Sequence, residues 1–258
     1  AFIPFITVGD PSIAVTEECI RRMANAGADL IELGIPFSDP TAEGPVIMAA
    51  NKRALAGGVT TDDVFDMVVR LREGANGPVV EVPFVFMTYA NVVFSYGVER
   101  FMERAAQVGV DGLILPDVPF EERGEFAEPA ARFGLDLVSM VAPTSKDRIR
   151  TIAREASGFI YVVSSLGVTG VRSQITTDVG ELVSHIREAT DVPAAIGFGI
   201  STPEQAHSMA QVADGAIVGS AIMKLIATHG AQSPAEVEAY VSRMAAAVHG
   251  GEAVQSNA

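Results

Sequence analysis

Eight short apolar runs, set apart by longer amphipathic stretches, constrain this chain more than any other feature. They are Phe2–Val8, Leu30–Leu33, Val82–Met87, Gly112–Leu115, Leu135–Val141, Phe159–Val163, Ala194–Phe198 and Ala216–Val218. One run in roughly every 32 residues is the repeat of a βα unit in an eight-fold barrel. The runs are almost continuously apolar, as parallel strands covered on both faces must be. Helix starts fall between them: Thr61-Asp62-Asp63 before VFDMVVRLRE, and Thr144-Ser145 before KDRIRTIARE. In Ser201-Thr202-Pro203-Glu204 a proline stands at the first helical position. The phrases NAGAD, QVGVDG and QVADGA recur just ahead of strands, with glycine where helices end. A doubly wound open sheet would need a GxGxxG turn after its first strand, and Thr7-Val8-Gly9-Asp10-Pro11 does not supply one. The expectation is a single-domain (β/α)8 TIM barrel spanning residues 1–258.

Composition narrows the classes of partner. With 258 residues, 48% of them hydrophobic, the chain can bury a large core. No apolar run approaches the roughly 18 residues that would mark a membrane span. Cys19 is the single cysteine, which rules out an internal disulfide and fits a cytoplasmic setting. A net charge of −14 repels nucleic acid and anionic lipid. A phosphorylated small molecule would therefore need local donors. The four histidines lie in helix-like stretches away from acidic or thiol clusters, so no metal site is expected.

In a parallel barrel, chemistry collects where strands end at their C-termini. Four places qualify. Glu32 lies within an apolar strand, where an unpaired carboxylate is costly to bury, and no strand carries a Lys, Arg or His to pair with it. Alternation puts it on the same face as Leu30, opposite Ile31 and Leu33, without saying which face is the lumen. At a barrel mouth its pKa should rise, which suits proton transfer near neutrality. Glu43 ends a loop stiffened by Pro36, Pro40 and Pro45, able to fold over a site. Tyr161 would bring a phenol to the mouth, followed by a Ser/Gly/Thr-rich run that reads as a lid. For this tyrosine a packing role and a catalytic one remain equally open. Last come Gly197-Phe198-Gly199 and Gly219-Ser220, after the seventh and eighth strands. Ser220 opens a helix whose free amides favour an anion. The residues alone imply acid–base chemistry by two carboxylates on a small phosphorylated molecule, without naming it.

Several motifs then stand in one family's order. IELGIPFSDPTAEGP, Tyr89-Ala90-Asn91, Asp117-Val118-Pro119, Gly167-Val168-Thr169-Gly170, Gly197-Phe198-Gly199-Ile200 and Gly219-Ser220-Ala221-Ile222 resemble the tryptophan synthase alpha subunit. The likeness covers essentially the whole chain from Phe2, but leaves no counterpart for the family's N-terminal helix. The resemblance implies a cofactor-free lyase that splits indole-3-glycerol phosphate into indole and glyceraldehyde 3-phosphate. By resemblance, Glu32 moves the protons, Glu43 accepts the indole N–H, and Tyr161 stands beside the first. Phe5 and Ile114 would pack on substrate, while Thr169, Gly170, Gly197, Phe198, Gly199, Gly219 and Ser220 would bind its phosphate end. The resemblance further implies a beta-subunit partner holding pyridoxal phosphate, in an α2β2 heterotetramer. Pro36, Asp39, Pro40, Asn91, Asp117 and Pro119 would form the docking surface.

Two departures stand out. The family usually has aspartate where this chain has Glu43, and the added methylene moves the carboxylate by about 1.5 Å. Ser165 stands where many relatives carry a basic residue. Glu43 motivates one alternative expectation, a weakly active subunit that mainly activates its partner; the other is a partnerless indole-releasing lyase with the same chemistry.

Overall fold

Parallel strands and helices alternate along the chain in the computed structural model, which describes residues 1–163, 179–197 and 199–250. The strands are β1 (Phe2–Thr7), β2 (Ile31–Gly34), β3 (Phe84–Met87), β4 (Gly112–Ile114), β5 (Asp136–Leu137), β6 (Ser139–Val141), β7 (Ile160–Val163), β8 (Ala194–Gly197) and β9 (Gly215–Val218). The helices are α1 (Ile13–Asn25), α2 (Pro45–Ala56), α3 (Thr61–Glu73), α4 (Ala90–Tyr96), α5 (Val98–Gln107), α6 (Gly124–Arg132), α7 (Lys146–Arg154), α8 (Val179–Arg187), α9 (Pro203–Ala210), α10 (Ser220–His229) and α11 (Ser233–Val248).

The strands hydrogen-bond in the order β5-β4-β3-β2-β1-β9-β8-β7-β6. Sequence reads one strand over Leu135–Val141, whereas the structure has two segments with Val138 between them. Asp136 and Leu137 pair with β4, and Ser139–Val141 pair with β7. Val138 still donates its N–H to Leu113 O at 2.9 Å. The break is thus a change of partner within one stave. Tilted strands in a sheared barrel meet their left and right neighbours at different heights, and this stave joins the two ends of the sheet. The barrel therefore has eight staves, as its repeat implies.

Apolar side chains divide into two layers. Ile31, Leu33, Phe84, Phe86, Ile160 and Val162 pack outward against the helices. Ile3, Val85, Ile114, Val138, Tyr161 and Ile217 form a separate cluster that fills the lumen, with Leu30 against it. The recurring Asp phrases tie the floor together. Asp29, Asp111 and Asp214 each stand just ahead of a strand and accept the N–H of a neighbouring strand's residue. The bonds are to Phe2 at 2.6 Å, Phe84 at 2.8 Å and Ala194 at 2.9 Å.

Helix ends follow local chemistry. Ser145 and Thr202 cap α7 and α9, and Pro203 opens α9. For α3 the cap is Thr60, one residue earlier than the sequence suggests, because Thr60 and Asp63 close a reciprocal capping box. Gly27 and Gly109 follow helices with φ of 100° and 87°, a region that glycine enters without strain. Among the described residues no helix is long and apolar enough to cross a membrane.

Candidate active site

Glu32 faces the lumen. It shares a strand face with Leu30, and lies in register between Phe5 on β1 and Val85 on β3. Its residue is 1% exposed, and its Oε2 has no hydrogen-bond partner among the described residues. Burial penalises the charge and, together with the nearby Glu43 charge, pushes its pKa up to about 8. A carboxylic acid in that state holds its proton at neutral pH.

Glu43 comes from the loop that joins β2 to α2. Gly44 caps α2 and Pro45 opens it, so helix geometry fixes the backbone that follows the acid. The side chain is buried, which pushes its pKa up to about 7. Two donors limit the rise: the Tyr89 phenol and the Asn51 amide, whose Nδ2 donates to Glu43 Oε2 at 2.5 Å. Tyr89 also stacks on Phe37, with ring centroids 5.2 Å apart, and its Oη accepts the Ala42 N–H at 3.2 Å. The loop is thereby held at both its start and its end.

Tyr161 on β7 is buried in the lumen. Desolvation holds its phenol well above the usual range, and the Glu32 charge adds to this. Its ring lies against Gly197 at the end of β8, where a Cβ would overlap the phenol. Phe5 lies across the ends of two flanking strands. A Cβ on Gly34 would stand 2.6 Å from its Cζ, and one on Gly219 would stand 3.1 Å from its Cδ1. Ile114, fully buried on β4, belongs to the lumen cluster.

Beyond Phe5, Gly219 caps α10 and Ser220 begins it, with both residues partly exposed. The first amides of a ten-residue helix have no intrahelical acceptor and point outward. Gly199, at φ 77°, takes a backbone conformation that a side chain would strain. Two buried carboxyls, apolar side chains and a helix N-terminus thus lie at the C-terminal ends of the strands. Thr169, Gly170 and Phe198, and Ser165 of the expected lid, lie outside the described residues.

The match to known proteins is consistent along the chain. The family model for the tryptophan synthase alpha chain matches residues 1–249. The chain belongs to the tryptophan synthase alpha chain family. It is 49% identical over 247 residues to the tryptophan synthase alpha chain of Lacticaseibacillus casei, covering 96% of this chain and 91% of that one. To the alpha chain of Geobacter sulfurreducens it is 48% identical over 250 residues, covering 96% and 93%. A structure of Mycobacterium tuberculosis tryptophan synthase superposes with a TM-score of 0.85 at 34% identity, over 96% of this chain and 92% of that one. The alpha subunit from Legionella pneumophila superposes with a TM-score of 0.83 at 35% identity, over 96% and 92%.

Around the mouth, Asp39, Asn91, Asp117 and Pro119 are exposed and Pro40 is half-buried. Pro36 is buried beneath its loop, so this residue of the expected docking surface faces inward. Asp117 accepts the Ala90 N–H at 3.1 and 3.2 Å, which ties the start of α4 to the loop after β4. Sequence reasoning missed Phe94, an α4 aromatic that is 51% exposed, and the tie between Asn51 and Glu43. Asn51 carried a usable signal. It interrupts the buried stripe of α2 formed by Ile47, Ala50 and Ala54, where an amide requires a partner.

Proposed function

We propose that the chain is a lyase that cleaves indole-3-glycerol phosphate to indole and glyceraldehyde 3-phosphate, and serves as the alpha subunit in tryptophan biosynthesis. The observation that carries this is a lumen-facing Glu32, close enough to Glu43 for one charge to raise the other's pKa. Family membership over the whole barrel supports it.

The chemistry follows from the layout. The substrate phosphate sits at the amides of Gly219, Ser220 and the start of α10, with Gly197 and Gly199 beside it. By resemblance to the family, Thr169, Gly170 and Phe198, which lie outside the described residues, would also bind the phosphate. The indole lies on Phe5 and Ile114. Glu32, protonated by burial, gives its proton to the indole C3, and the ring becomes an electron acceptor. The resulting carboxylate takes the proton of the side-chain hydroxyl. As that oxygen forms the aldehyde, the C–C bond breaks and its electron pair returns to the ring. One proton has entered and one has left, so Glu32 is restored. Glu43 accepts the indole N–H and stabilises the positive charge that develops on the ring. Tyr161 packs beside Glu32 and excludes water. No step needs a cofactor in this chain.

The partner is a beta subunit holding pyridoxal phosphate, which consumes indole within an α2β2 heterotetramer in the cytoplasm. Asp39, Pro40, Asn91, Asp117 and Pro119 form the docking face, with Pro36 supporting the loop from within. That loop also carries Glu43, so partner binding and catalysis share one loop. Indole release from indole-3-glycerol phosphate, with and without a beta subunit, tests the reading. The purified chain should release indole, and Glu32→Gln should abolish release. A wild-type chain inactive in both settings would overturn it.

A further inference from the structure

Position 43 carries a glutamate whose carboxylate is not anchored within its own loop. Its Oε2 receives a hydrogen bond from Asn51, eight residues on, at 2.5 Å. Asn51 is 3% exposed and lies on the buried stripe of α2. A buried amide in a helix interior is unfavourable unless bonded, and here the bond goes to the mouth of the barrel. Tyr89 also donates to the acid, and holds the loop backbone through Ala42 and the loop's start through Phe37. Asn51 adds a second donor and anchors the acid to α2, the helix that the loop leads into.

We propose that Asn51 is a positioning residue for the lyase reaction: its amide pins one carboxylate oxygen of Glu43 so that the other meets the ring N–H of the substrate. This rests on the reading of Glu43 given above. Two effects follow from the geometry. The carboxylate of a long, flexible side chain is confined to one place, which offsets the freedom added by its extra methylene. A donor on Oε2 also favours the ionised form, which accepts the N–H more strongly and stabilises the positive charge developing on the ring. Burial works in the opposite direction, pushing this acid up to about 7. Without Asn51 the acid would hold its proton over more of the neutral range.

The test reads Glu43 directly. In protein carrying 13C-labelled glutamate, the Glu43 carboxyl is titrated by NMR without substrate, and kcat and KM are measured across pH. In Asn51→Ala the midpoint should rise by about one pH unit, since hydrogen bonds to charged groups are of that strength. A one-unit rise lowers the ionised fraction about tenfold at pH 6 and about twofold at pH 8, and kcat should follow the same curve. KM, set mainly by the phosphate seat, should change less. Asn51→Leu fills the space without a donor and should give the same shift, which covers the case in which the alanine variant fails to fold. An unmoved Glu43 midpoint with a loss of kcat constant across pH would overturn the proposal and leave Asn51 a packing residue. The titration needs no turnover, so failure of the lyase reading would show separately, in the indole-release assay of the wild-type chain.

Discussion

The Tyr161 phenol rests on the bare backbone of Gly197, and no side chain fits between them. A Cβ there would overlap the Oη, and would also stand 2.5 Å from Cε1 and Cζ, so the whole ring edge would have to move. Gly197→Ala should therefore displace the Tyr161 ring within the lumen. Overpacking of this kind costs about 1–3 kcal/mol of stability, and an error near 1 Å at the site lowers the rate by about a hundredfold. Replacing the ring with a smaller group removes the clash. Gly197→Ala with Tyr161→Leu should unfold at higher denaturant than Gly197→Ala alone. Equal midpoints for the single and double variants would show that the ring is not what constrains residue 197.

Activity should pass through a narrow maximum. Glu43 must be ionised to stabilise the positive charge that develops on the indole ring, and it is pushed up to about 7. Glu32 must be protonated to begin the reaction, and it is pushed up to about 8. The rate should rise with pH through the first value and fall through the second, with both limbs belonging to the coupled pair. In Glu43→Gln the rising limb should disappear while the falling limb remains. A pH–rate profile for kcat/KM checks this, and a flat profile between pH 5 and pH 9 would contradict it.

Glu32 should also make stability depend on pH. Its folded pKa of about 8 lies above the ordinary value of 4.5, so the unfolded chain releases this proton first. Below pH 4.5 both states are protonated and the group contributes no difference. Between pH 4.5 and about 8 the unfolded state ionises alone, and stability falls progressively; above about 8 the loss is complete. Glu32→Gln carries no such charge. It should be more resistant to urea than the wild type at pH 9, by several kcal/mol, and close to it at pH 4. A gap equal at both pH values would point to packing rather than ionisation.

The barrel was legible because its signal is repetitive: eight apolar runs, with glycine or aspartate at fixed places between them. Glu32 was legible as costly, but not as lumenal. Both faces of a barrel strand are apolar, so alternation groups Leu30 with Glu32 without orienting them. Packing of Leu30 against the inner cluster supplies the direction. The partner change at Val138 could not be read from a run of apolar residues, since it depends on how far the strands are sheared. Likewise, the Asn51–Glu43 bond joins a loop to a helix interior eight residues away. No periodicity marks that distance, and only the polar break in the α2 stripe hinted at it.

Phe94 offers a test of the partner face that leaves the chemistry alone. It projects from α4, 51% exposed, beside a helix start held by Asp117. Its one ring contact among the described residues is with Phe126, at 5.0 Å between centroids. An exposed aromatic on a fixed helix is the type of residue that dominates binding energy in an interface. If the beta subunit docks here, burying that ring should contribute about 2 kcal/mol, and Phe94→Ser should raise the dissociation constant about 30-fold. Indole release by the isolated variant should match the wild type, because Phe94 does not touch the lumen cluster. Titration calorimetry with a cognate beta subunit measures the first effect and steady-state kinetics the second. Unchanged affinity would move the docking surface away from α4, and with it the argument that the loop bearing Glu43 is shared between site and interface.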